Sequence, residues 1–201
     1  MAAPIDFYFD FSSPYGYLAS QKIEALAARH GRAVDWHPIL LGVVFRQIGT
    51  APLTEIPLKG EYSRRDFGRS ARFHGLPEFT MPSRFPIPSQ APARIVMWQK
   101  ASERSAVPPL IAAYFRAFFV DDLDISVPEN AVAVAAKAGI DAVAARAAID
   151  DPAIKDALKK EVDGAIARGV FGSPFVFVDD EPFWGLDRFD QVEKWLASGG
   201  F

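Results

Sequence analysis

Two strand-bearing ends around a helical middle predict an α/β protein whose single sheet is assembled from both ends of the chain. The first forty residues alternate strand, helix and strand, and the region that follows carries apolar residues at helical spacing as far as residue 168. The last thirty residues return to strands and close on one more helix.

At the start, Phe7, Tyr8, Phe9 and Phe11 make an apolar strand that runs through Ser12-Ser13-Pro14 into a helix over Pro14–His30. Tyr17, Leu18, Ile23, Leu26 and Ala27 fall on one face of it, and Gly31 ends it. A second strand over Ala33–His37 stops at Pro38. Helices are then expected over Leu40–Ile48, Glu61–His74, Ser89–Glu103, Val107–Phe119, Pro128–Ala138, Asp141–Ile149 and Pro152–Arg168, several opening on Ser, Asp or Pro. The stretch Met81–Pro92, with four prolines, is too irregular for an element and is expected to lie over the surface or over a cleft. Strands over Phe175–Val178 and Pro182–Trp184 flank an Asp179-Asp180 turn, and a helix runs from about Asp187 to Ala197. This order is that of a thioredoxin-like sheet interrupted by an all-helical insertion. Residues 1–40 and 169–201 form the thioredoxin-like domain, and residues 41–168 the insertion.

Of 201 residues, half are hydrophobic and 13% aromatic, which is enough for a sizeable core. A net charge of −3 with dispersed Lys and Arg offers no basic field for nucleic acid. No basic segment precedes an apolar run at the start and no stretch has membrane-spanning length, so a soluble cytoplasmic protein is expected. The chain has no cysteine, which removes disulfide chemistry of its own and thiolate zinc sites. Any thiol it uses must come from outside.

Three junctions carry the chemistry. Ser13 followed by Pro14 is an ordinary N-cap and first helical residue, and the same spot, where thiol-redox folds carry Cys-x-x-Cys, suits an anion facing free helix amides. Pro174 after Ser173 opens a strand, either as a common loop proline or as a cis proline that exposes the Ser173 backbone to a peptide ligand. Trp184-Gly185-Leu186-Asp187-Arg188 leads into the last helix. Asp187 there is either a helix cap or, with the nearby amides, a holder for an α-amino acid end such as that of a γ-glutamyl peptide. The paired acids fit turns and caps, and no ligand spacing supports a metal. Ser13 as a nucleophile in its own right would need a base. His30, His37 and His74 lie at element ends, and no G-x-S-x-G elbow is present.

The segments Phe9-Asp-Phe-Ser-Ser-Pro-Tyr-Gly-Tyr-Leu18, Gly169-Val-Phe-Gly-Ser-Pro174 and Trp184-Gly-Leu-Asp-Arg188 resemble those of 2-hydroxychromene-2-carboxylate isomerases. These are relatives of kappa-class glutathione transferases in the DsbA-like branch of the thioredoxin superfamily. Pro38–Arg46, Pro57–Tyr62 and Tyr114–Asp124 are similar to the helical insert of the same family. The resemblance implies bound glutathione with Ser13, beside Pro14, facing its sulfur. Ser173 would pair through its backbone next to a cis Pro174, and Gly185, Leu186 and Asp187 would hold the γ-glutamyl end. It also implies that Lys59 reaches a carboxylate and that Thr50 lies in the glutathione site. Arg46 would meet the carboxylate of a small aromatic keto acid substrate unless it is a solvated helix charge. Phe85, with Phe45 and Trp98, would cover the aromatic ring unless packed in the core. Two positions depart from the family pattern: Leu186 replaces a polar Ser or Asn, and Thr50 stands in place of Asn. The family further implies a homodimer. A kappa-like transferase or peroxidase and a catalytically silent DsbA-like binding module are the alternatives.

Overall fold

The computed structural model describes residues 2–201. A four-stranded sheet of order β2-β1-β3-β4 is built from β1 (Ile5–Phe9), β2 (Val34–Pro38), β3 (Phe175–Val178) and β4 (Glu181–Trp184). β1 pairs in parallel with β2 through the crossover helix α1 (Pro14–Arg29), and antiparallel with β3, where Asp6 faces Phe177. β3 pairs antiparallel with β4. The two central strands therefore come from opposite ends of the chain, as the two-ended sheet requires.

Between them lie α2 (Leu41–Ile48), α3 (Lys59–Phe73), α4 (Gln90–Ser102), α5 (Val107–Phe119), α6 (Pro128–Lys137), α7 (Ala142–Asp150) and α8 (Pro152–Ala167). After β4 a short 3₁₀ turn, Leu186–Arg188, feeds α9 (Phe189–Ser198). The starts follow from local chemistry. Asp141 and Asp151 cap α7 and α8 by accepting from Ala144 N and Ala153 N, each at 2.7 Å, and prolines open α1, α6 and α8. α3 begins at Lys59 rather than at Glu61, so this cation belongs to the first turn of the helix.

Each face of the sheet is covered. Phe7, Phe9 and Trp36 meet α1 and the aromatic face of α5, where Tyr114, Phe115, Phe118 and Phe119 are buried. Tyr8, Phe175 and Phe177 meet Ile39, Val44 and Ala165 on the other side, under α2 and α8. The parallel register of β1 and β2 also aligns Asp6 with Asp35 and Tyr8 with His37. His37 bonds Glu161 through Nδ1 at 2.5 Å and Asp6 through Nε2 at 3.3 Å. Burial acts to lower the pKa of His37, but its bonds to Asp6 and Glu161 outweigh that and hold it above the ordinary value. Asp6, Asp35 and His37 have ligand atoms within 4.8 Å of one another, a grouping created by strand register and invisible to sequence spacing. Lys100 on Asp35 at 2.7 Å and Arg168 on Asp6 satisfy these carboxylates, which makes the cluster an ion-pair network.

Candidate active site

A cavity of about 1020 Å³ lies between the sheet end, α2, α3 and the Phe85–Ser89 segment. Its walls include Ser13, Pro14, Arg46, Thr50, Lys59, Phe85, Ser173, Pro174, Gly185, Leu186 and Asp187, all assigned to the site from sequence. Phe45 lines it as well, whereas Trp98 packs partly buried against the main core and takes no part. The proline-rich stretch does run along a cleft, and Phe85, Pro86 and Ile87 form part of its wall.

Ser13 occupies the N-cap of α1 in an extended conformation. Its hydroxyl accepts from Gly16 N at 3.0 Å and donates to the carbonyl of Ser173 at 2.8 Å. Ser13 is thus the N-cap of α1 and also lines the cavity. The Ser173–Pro174 peptide is cis, but the expectation that the Ser173 backbone points freely outward holds only for its N–H. Its carbonyl accepts from Ser13, and the Ser173 N–H has no partner among the described residues. The amide of Tyr15, in the first turn of α1, is likewise without a partner among them.

At the third junction Gly185 takes φ +104°, a conformation suited to glycine, and donates to Pro174 O at 3.1 Å. This ties the turn before α9 to the cis proline. Asp187 does not cap α9; its carboxylate is exposed in the cavity wall, 3.5 Å from Arg188. Leu186 buries its side chain in the core, and the amides of Leu186 and Asp187 have no partner among the described residues. The apolar residue at this departure from the pattern therefore anchors the turn while leaving its N–H available. Arg46 and Lys59 are exposed at the rim, and the Arg46 guanidinium bonds back to Gly42 O of its own helix at 3.2 Å. Thr50 is exposed at the end of the α2 segment, where its amide donates to Phe45 O.

Sequence reasoning missed two features of the wall. Asp10 is buried with no cation beside it. Burial raises its pKa, while bonds from Ser12 N at 2.8 Å, from Leu41 N at 2.6 Å and from Ser89 oppose the rise. The Asp10 amide in turn donates to Ser173 Oγ at 3.1 Å, so one residue links β1, α2 and the cis-proline loop. Tyr15 donates to Asp66 at 2.5 Å, joining α1 to α3, and burial and the adjoining carboxylate push its pKa up. The only signal for Asp10 was a charged residue within an apolar strand.

A family model described as a DSBA-like thioredoxin domain matches residues 4–197. The chain belongs to the DsbA-like thioredoxin family. Within it the chain is 32% identical to a 2-hydroxychromene-2-carboxylate isomerase of Sphingobium xenophagum, over 98% of this chain and 99% of that one. Among solved structures, a 2-hydroxychromene-2-carboxylate isomerase superposes with a TM-score of 0.83 at 29% identity, covering 96% of this chain and 94% of the other. A kappa 2 glutathione S-transferase of Caenorhabditis elegans is 24% identical over 96% of this chain and 91% of its own length. The DsbA-like member described here thus has isomerase-named relatives along nearly its whole length, and a serine at its helix cap.

Proposed function

We propose that this protein is a glutathione-dependent isomerase that converts 2-hydroxychromene-2-carboxylate to trans-o-hydroxybenzylidenepyruvate in the breakdown of aromatic compounds. The observation that carries the reading is the Ser13 hydroxyl bonded to the Ser173 carbonyl beside cis Pro174, in the wall of a cavity that the Trp184–Arg188 turn also lines. Isomerase-named relatives over almost the full chain support the reaction, and a relative named for glutathione supports the cofactor.

The residues fit the tripeptide. Unpartnered amides at Tyr15, Ser173, Leu186 and Asp187 are donors for its anionic and carbonyl groups, and the Asp187 carboxylate suits its ammonium. When bound, glutathione would supply a thiolate able to add reversibly to a conjugated carbon and so free the adjoining double bond to rotate. The work of Ser13 is electrostatic. Turning its proton from the Ser173 carbonyl to an anion replaces a neutral hydrogen bond of roughly 0.5–1.5 kcal/mol by a charged one of roughly 1.5–3 kcal/mol. With a helix N-terminus adding roughly 0.3–2 kcal/mol, the site lowers a thiol pKa by ~1–3 units from its free value near ~8.5. Lys59 and Arg46 at the rim would attract the substrate carboxylate, and Phe85 and Phe45 would cover its ring. The same reading includes a homodimer in the cytoplasm.

A titration with glutathione followed by thiolate absorbance and heat, then an assay with the chromene acid, tests the proposal. Catalytic use of glutathione is expected. Stoichiometric loss of glutathione to an aryl halide, without isomerisation, would instead support the kappa-like transferase reading that the nematode relative favours.

Two substitutions are diagnostic. Asp187→Ala is expected to weaken glutathione binding about tenfold, as for loss of a charged hydrogen bond, with an unchanged melting temperature because the side chain is exposed and caps nothing. Calorimetry at two ionic strengths checks it. Gly16→Ala probes the floor: an added Cβ would lie 2.7 Å from Ser173 Oγ and 3.0 Å from Ser13 Cβ. Ser173 Oγ would have to swing off the Asp10 amide, so glutathione affinity is expected to fall at least tenfold. The alanine's helix propensity, about 1 kcal/mol better than glycine, offsets much of the loss in stability.

A further inference from the structure

Ser12 and Ser13 are consecutive, yet their hydroxyls are engaged on opposite sides. Ser13 turns to Ser173 and Gly16, on the side of the cis-proline loop. Ser12 Oγ accepts from the amide of Ile87 at 3.1 Å, on the side of the Phe85–Ser89 segment. That amide fixes the Ser12 oxygen, whose O–H has no acceptor among the described residues. The residue is half-buried and lines the cavity. Phe85 follows the same wall, with Phe67 edge-on to it at 6.5 Å. A held hydroxyl oxygen with an unspent proton beside an aromatic wall is a donor waiting for an acceptor on an aromatic ligand.

We infer that Ser12 is a substrate-binding residue whose free hydroxyl proton hydrogen-bonds the keto oxygen of an aromatic keto acid lying against Phe85. This deepens the function proposed above and rests on it. The rim cations Arg46 and Lys59 would hold the carboxylate, and Ser12 would read the neighbouring oxygen deeper in the cavity. The hydroxyl thereby distinguishes a 2-keto acid from a plain unsaturated acid of the same length. Ser13 is left to serve the sulfur side.

The test is calorimetric binding without glutathione, using two probes: benzylidenepyruvate and the matching unsaturated aromatic acid that lacks the keto oxygen. Ser12→Ala is expected to weaken the keto acid about three- to tenfold while leaving the des-keto acid and glutathione itself unaffected. Ser12→Thr should keep most of the keto acid affinity. Equal weakening of both acids would overturn the inference, because it would mean that the substitution loosens the Ile87 segment and no particular oxygen is read. Unchanged affinity for the keto acid in Ser12→Ala would also overturn it, and in that case an active wild-type isomerase would leave the proposed function standing. A wild-type protein that binds neither acid would overturn that function and this inference with it.

Discussion

Replacing Ser13 by alanine is expected to raise the thiol pKa of glutathione, bound as proposed, by about one unit and to slow turnover by at least an order of magnitude. The shift follows from the difference between a hydrogen bond to an anion, roughly 1.5–3 kcal/mol, and the neutral bond to the Ser173 carbonyl that it replaces, roughly 0.5–1.5 kcal/mol, at about 1.4 kcal/mol per unit. The same hydroxyl also caps α1 through Gly16 N, so alanine costs a further ~0.5–2 kcal/mol of stability. A Ser13→Gly variant separates the two effects, since glycine costs a cap only a few tenths of a kcal/mol. Both variants should show the same displaced thiolate absorbance curve, and only alanine should lower the melting temperature appreciably. A pH–rate profile in either variant that overlays the wild type would remove Ser13 from the reaction.

Phe115→Ala is expected to destabilise the fold by about 3–5 kcal/mol, the range for truncating a fully buried aromatic. Phe115 is inaccessible to solvent, and its ring lies 5.8 Å from Phe9, 5.1 Å from Phe11 and 5.9 Å from Tyr17. It belongs to α5, in the helical insertion, while its partners belong to the strand and helix that lead to and from Ser13. Helices and sheet therefore share one core, and unfolding in denaturant should remain a single transition by both far-ultraviolet dichroism and tryptophan fluorescence. Two separated transitions would contradict the shared core.

Nearly all elements were legible because their signals are local. Apolar residues repeat at helical spacing along α1 and α5, prolines and aspartates mark the starts of α6, α7 and α8, and the strand pair at the end brackets an Asp179-Asp180 turn. The candidate site residues were legible through three junction motifs and their resemblance to a family, and all but Trp98 line one cavity. What escaped was made by tertiary contact. The cis peptide between Phe85 and Pro86 was not anticipated among four closely spaced prolines. Parallel register brings His37 to Asp6, and Asp10 binds amides thirty-one residues apart from it in α2 as well as those next to it. The need for glycine at position 16 is visible only once Ser173 is seen to pack over it.

Pairing Asp6 with Phe177 means that β1 meets its antiparallel neighbour only after nearly the whole chain has been synthesised. A nascent polypeptide on the ribosome has a parallel β1–β2 pair and eight helices available early, but no cis-proline loop for Ser13 to bond until residues 173–184 emerge. Such distant strand pairing slows folding relative to helix formation. Competence for ligand binding thus arrives late and all at once, so an incompletely translated copy would own a helix cap without a pocket.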